Sequence, residues 1–215
     1  IASLAVLGLR WVERRSAMHA SGGPSATAPS PLASSAQRHV AVLPFVAVGG
    51  EDRDAALAAG LGRVLAEELV LLEEQTRGRL WVVPAEATHS LERVRRDYNV
   101  NVAIAGRLRT EGGRTRLELD TVSVVGGSTL ESVAIDCEGG LRASLQLDLA
   151  EKAAELLAVP IEPATRSALI GRCTSVDRAF EGRASGLGLL AIDVDGERLE
   201  RAIAALERAT REDPR

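Results

Sequence analysis

Apolar residues fall along this chain in two rhythms, short unbroken runs and stripes spaced by three and four, and their order predicts the fold. The first run, HVAVLPFV at 39–46, makes Val40, Val42, Leu43 and Phe45 apolar and leaves few positions for a solvent side. It predicts a strand covered on both faces, and Pro44, which lacks an N–H, fits a strand end or edge. Gly49 and Gly50 then make a loop, and Asp52 or Asp54 caps a helix reaching about Gln75. Leu57, Leu61, Val64, Leu65, Leu69 and Leu72 form its apolar face. Gly60 and Gly62 inside it read as close packing against the sheet. Gly78 closes the helix, and residues 80–83 predict a second buried strand ended by Pro84.

A short helix over 90–98 turns Leu91, Val94 and Tyr98 inward and Arg93, Arg95 and Arg96 outward, and Asn99 stops it by adopting the left-handed conformation. Strands at 101–110, 114–124 and 128–136, joined by turns at 111–113 and 126–127, predict a meander of two hairpins. The apolar phase slips between Leu119 and Val122, which predicts a bulge or a change of buried face. A helix over 141–158 carries Leu141, Leu145, Leu149, Ala153 and Leu156 inward and ends before Pro160. Strand, helix, strand, helix, three-strand meander, helix is an α/β order on a mixed sheet. An α-helical hairpin is expected to follow it, over about 176–191 and 197–211.

The flanks read differently. Residues 1–9 are continuously apolar and are followed by Arg10, Trp11, Arg14 and Arg15. Nine residues fall short of the roughly twenty that cross a bilayer, but a Trp/Arg border is typical of an interface, so 1–15 is expected to be the end of a transmembrane helix. A signal peptide is disfavoured, since its basic residues would precede the apolar run. Residues 16–37, rich in Ser, Ala, Pro and Gly, predict a flexible linker. The chain opens on Ile1 and stops within a repeat-like pattern at Arg215, so a fragment is expected. The layout predicted is tether 1–15, linker 16–37, α/β domain 38–160, connector 161–175 and helical hairpin 176–215.

Composition narrows the chemistry. Apolar residues make up 46% of the chain but aromatics only 2%, so the core is aliphatic and Phe45, Trp81, Tyr98 and Phe180 are its packing anchors. A net charge of −4 with interspersed signs gives no footprint for nucleic acid. Cys137 and Cys173 share no C-x-x-C spacing, and with the scattered His19, His39 and His89 they supply too few ligands for a metal. Two unrelated buried thiols are the favoured reading, a Cys137–Cys173 disulfide the alternative. Gly186-Leu-Gly188-Leu-Leu-Ala191 has the dinucleotide-binding spacing, but within a helical pattern instead of between strand and helix. Asp193 and Asp195 before Gly196 lack the rest of a calcium loop and read as an interhelical turn. No Ser/His/Asp, Cys/His or paired-carboxylate arrangement assembles, so no catalytic, cofactor-binding or metal residue is assigned.

A family resemblance rests on HVAVLPF at 39–45, Gly60-Leu61 and Glu67-Glu68-Leu69 of the next helix, Ala105-Gly106-Arg107, the Gly112-Gly113 turn and Val125-Gly126-Gly127. Over residues 39–159 this pattern resembles the TolB-like amino-terminal domain of multidomain bacterial signalling proteins. Ala202, Leu206, Ala209 and Pro214 resemble the second helix of a tetratricopeptide repeat, with the first helix degenerate. One repeat cannot bury its own apolar face, so further repeats are expected beyond Arg215.

The expectation is therefore a non-enzymatic, membrane-tethered interaction or sensory module with no cofactor, whose repeat array binds a protein partner. One alternative, implied by the resemblance, is an accessory region of a serine/threonine protein kinase or nucleotide cyclase. Another is a small-molecule sensor with its ligand near 45–50 and 84–88, at the carboxyl ends of the first two strands. The resemblance implies the periplasmic side of a bacterial membrane, whereas the basic flank favours the cytoplasmic side.

Overall fold

The computed structural model describes residues 37–49, 52–76, 78–83, 90–192 and 196–214. The tether at 1–15, nearly all of the linker at 16–37, the loop residue Gly50, the stretch 84–88 and the turn at 193–195 lie outside them. No helix among the described residues is long and apolar enough to cross a membrane.

The apolar run at 39–46 opens as strand β1 (Arg38–Val42) and resumes as β2 (Val46–Ala47), and both pair in parallel with β4 (Val102–Glu111). Val42 lies opposite Ile104 and Val46 opposite Arg107, so the chain spends four steps where β4 spends three. One residue of the Leu43-Pro44-Phe45 stretch bulges out, exposed Pro44 loses no ladder bond, and the Phe45 ring turns inward. A Cβ on Gly106 of β4 would lie 2.4 Å from that ring, and one on Gly62 would lie 3.2 Å from it. Only glycine admits the ring between sheet and helix.

Helix α1 (Asp52–Gln75) carries that Gly62, with Asp52 and Asp54 in its first turn where the helix dipole favours them. Gly78, at φ +80°, turns the chain into β3 (Leu80–Val82), which pairs in parallel with β1. Helix α2 (Leu91–Tyr98) stops as predicted at Asn99, left-handed at φ 50°, and Ser90, read as its first residue, caps it instead, its Oγ accepting from the Arg93 N–H at 3.3 Å. Strands β4, β5 (Arg114–Ser123) and β6 (Thr129–Glu138) make the antiparallel meander. The slip read between Leu119 and Val122 is a register shift at Thr121/Val122, where Thr121 Oγ1 donates to the Glu131 carbonyl and accepts from the Glu131 N–H.

The sheet order is β3-β1-β4-β5-β6, with β2 beside β4. On one face Ile104, Gly106 and Leu108 lie opposite Thr121, Leu119 and Leu117, beneath α1 and α3 (Leu145–Leu156). Leu61, Leu65, Leu69 and Leu72 of α1 are essentially fully buried there, each contributing about 1.5–3 kcal/mol of apolar burial. On the other face Ala41, Val83, Val94, Val100, Ala103 and Val124 cluster under α2.

The stretch 161–175 contains a helix that the sequence reading did not assign, α4 (Pro163–Arg172). Its weak apolar signal explains the miss. Only Thr165 and Leu169 are buried in it, and Thr165 Oγ1 donates to the Gln75 side chain at the end of α1. The chain ends in α5 (Asp177–Ala191) and α6 (Gly196–Glu212), the expected helical hairpin, and the described residues all fall within one compact unit.

Candidate functional site

Helix α5 is shared between the α/β layer and the hairpin through its glycines. A Cβ on Gly188 would lie 1.6 Å from the Ala56 carbonyl oxygen of α1, and one on Gly60 of α1 would lie 1.6 Å from the Ala184 carbonyl oxygen of α5. The two backbones touch at the crossing, so the reading of Gly60 as packing against the sheet is corrected: it packs against α5. Around the helix, Gly182 and Gly186 face Ala205, Ala209 and Leu206 of α6. Gly186 and Gly188 of the dinucleotide-like spacing thus serve two helix crossings, and Ala191 is exposed.

The same packing decides which side of α6 is covered. Ala202, Ala205 and Ala209 are buried in the hairpin. Leu199 and Ile203 are 42% and 47% exposed. The small stripe wins the interface because α5 offers glycines there, and the bulky stripe is left in solvent with Leu190 of α5. The hairpin also carries an open groove of about 530 Å³ lined by Leu187, Leu206, Ala209 and Thr210 together with Arg172, Arg183 and Asp213. Arg183 pairs with Glu67 of α1, Thr174 Oγ1 donates to Asp213 Oδ2, and Arg172 is exposed.

Within electrostatic reach of Arg172 and Arg183 lies a buried acid. Glu68 of α1 is 1% exposed, and Gln146 Nε2 of α3 donates to its Oε1 at 2.6 Å. Burial pushes the Glu68 carboxyl above the usual glutamate range, although Gln146, Arg172 and Arg183 pull it down. Nearby Cys173 is a free thiol pushed up to about 11, first by burial and then by the Glu68 carboxyl. A thiol so placed is a poor nucleophile at neutral pH. Cys137, on β6, is also free and raised by burial.

A third set of charges lies on the sheet face away from α1. Arg107 meets Asp120 at 3.0 Å and Glu118 at 3.1 Å, Arg116 meets Asp136 at 3.1 Å, and Ser132 Oγ donates to the 2%-exposed Asp120. Acids and bases alternate across strands β4, β5 and β6, so this face neutralises itself. Among the described residues no group of three or more His, Cys, Asp or Glu is close enough to hold a metal ion.

No family model matches the sequence, and no curated protein matches it. Solved structures do. A PelC dodecamer from Paraburkholderia phytofirmans matches at TM-score 0.39 and 19% identity, over 61% of this chain and 94% of that one. A lipoprotein from Neisseria meningitidis matches at 0.37 and 15%, over 56% of this chain and 98% of its own. TolB from Acinetobacter baumannii matches at 0.32 and 12%, over 56% of this chain and 28% of that protein. Likeness at this level assigns neither family nor function to this chain.

The sequence reading assigned no site residues, and the groups now seen together carried weak signals. Glu68 stood out only within the Glu67-Glu68-Leu69 pattern of the resemblance, and nothing in its spacing marks it as buried. Of the alternative ligand region, the Phe45 ring lies between Gly62 and Gly106, while Gly50 and 84–88 lie outside the described residues.

Proposed function

We propose that this chain is a non-enzymatic protein-interaction module that presents the outer face of the α5–α6 hairpin to a partner. The observation that supports it is the bulky stripe Leu199 and Ile203, left in solvent, as is Leu190, while the alanine stripe of the same helix is consumed in packing and the hairpin carries an open groove. A helix this amphipathic on two sides has one face more than its own fold uses. The occupant that fits is an amphipathic helix whose apolar positions meet Leu187, Leu206 and Ile203 and whose acidic residue meets Arg172 and Arg183.

In the finer form of this reading, the residues over 38–160 are a TolB-like domain of a bacterial signalling protein. The hairpin is then the degenerate first unit of a tetratricopeptide-type array that binds a protein partner, and 1–15 tethers the whole to a membrane. Supporting it are the apolar run with its Trp/Arg border and the small-residue spacing of α6.

The test places a photo-cross-linking side chain at Ile203 and, separately, at the exposed polar position Arg208 in cells that make the protein. A discrete protein adduct is expected from position 203 and not from 208, and Leu199→Glu should abolish it without changing the melting temperature. Equal labelling from both positions, or none from 203, would overturn the reading.

A further inference from the structure

The Glu68–Gln146 contact strands two acceptors in one buried place. Both residues are 1% exposed. One hydrogen bond joins them, from Gln146 Nε2 to Glu68 Oε1, and the remaining oxygen of each group, Glu68 Oε2 and Gln146 Oε1, has no hydrogen-bond partner. Two acceptors cannot satisfy each other, and neither reaches water. One proton would resolve both, because on Glu68 Oε2 it turns one stranded acceptor into a donor for the other.

We propose that Glu68 holds a proton at neutral pH and that its carboxylic acid forms with the Gln146 amide a two-bond ring, a proton-dependent latch between α1 and α3. The balance is simple: one O–H on Glu68 Oε2 donates to Gln146 Oε1 while Gln146 Nε2 continues to donate to Glu68 Oε1, and the proton comes from solvent.

Among the described residues, charged groups of both signs are set against Glu68. From α1 itself Glu67 opposes its ionisation; Arg172 at the end of α4 and Arg183 on α5 favour it; the Gln146 amide faces it from α3, and Cys173 is its thiol neighbour. Arg183 is already engaged by Glu67, and Arg172 is exposed, so neither places a full countercharge against a buried carboxylate. Burial prevails, and it raises the Glu68 carboxyl.

The latch has a functional consequence because α1 also carries the backbone contact to α5. An acid whose folded-state pKa is raised stabilises fully below its unfolded value, and that contribution is lost as pH rises through the folded value. Alkalinisation therefore loosens α1 against α3 and, with it, the seat of the hairpin.

The experiment follows the carboxyl carbon of Glu68 by nuclear magnetic resonance in the intact chain, together with urea unfolding as a function of pH. Glu68 is expected to titrate well above the ordinary glutamate range, and the urea midpoint to fall as pH rises from that range through neutral. Glu68→Gln, which replaces the acid by a permanent neutral donor, should flatten that fall. Titration of Glu68 within the ordinary range would overturn the proposal. So would an equal slope in wild type and Glu68→Gln. The resonance measurement needs no variant and decides the matter even if the substituted chain does not fold.

Discussion

Replacing Gly60 by alanine tests the backbone contact on which the hairpin rests. The added Cβ would lie 1.6 Å from the Ala184 carbonyl oxygen, whereas ordinary contact begins at 3.4 Å, so the helices must part by about 1.8 Å. A carbonyl cannot rotate away as a side chain can. A gap of 0.5–1 Å already forfeits a quarter to a half of a dispersion contact, so parting α1 from α5 empties the crossing of most of its attraction. Overpacking costs about 1–3 kcal/mol, and a backbone obstacle puts this case at or beyond the upper end. Alanine returns about 1 kcal/mol of helix propensity, leaving a net loss of about 2 kcal/mol. The control is built into the molecule. Gly171 lies in α4 with nothing within 4 Å of its would-be Cβ, so Gly171→Ala should stabilise by about 0.5–1 kcal/mol. Urea unfolding of both variants reads the difference, and amide exchange should show α5 and α6 opening first in Gly60→Ala. If Gly60→Ala is as stable as wild type while Gly171→Ala gains, the helices do not touch through backbone and the crossing is wrongly described.

Two further outcomes follow from buried charges and thiols. Asp120→Asn should destabilise by about 2 kcal/mol, since it breaks the buried pair with Arg107 while Glu118 still offers that arginine a partner; a loss below about 0.5 kcal/mol in urea unfolding would show that the pair is not buried in solution. Cys173 should alkylate at neutral pH about tenfold more slowly in the native chain than in urea. A thiol at about 11 instead of the ordinary 9 has about a hundredth of the thiolate, partly offset by its greater nucleophilicity. Fold stability should accordingly fall as pH rises from 9 through about 11, and equal native and unfolded rates in peptide mapping would refute the burial of that thiol.

The sequence was most legible where local chemistry acts alone. Asn99 ends α2 through its own backbone, and the phase slip near Leu119 needed no knowledge of partners to be read as an irregularity. It was least legible where the outcome depends on what lies opposite. Glycines at 60, 186 and 188 announce close approach but not to what, and α6 carries two usable stripes, of which the glycines of α5 selected the alanine one. Helix α4 was missed because two buried residues do not make a periodicity. Glu68 was legible only as part of the Glu67-Glu68-Leu69 pattern, and its burial depends on Gln146, seventy-eight residues away.

The crossing of α1 and α5 has a mechanical meaning as well as an energetic one. Side chains between helices act as springs, since rotamers shift and methylene chains bend before a load reaches the next backbone. Between Gly60 and Gly188 there is no such spring. A tug on the hairpin from a bound partner would reach α1 nearly undamped, and α1 lies directly on strands β1, β2 and β4. Pulling on α6 should therefore tilt the helix layer as a stiff lever, with the bulge that holds Phe45 as the place where the sheet yields.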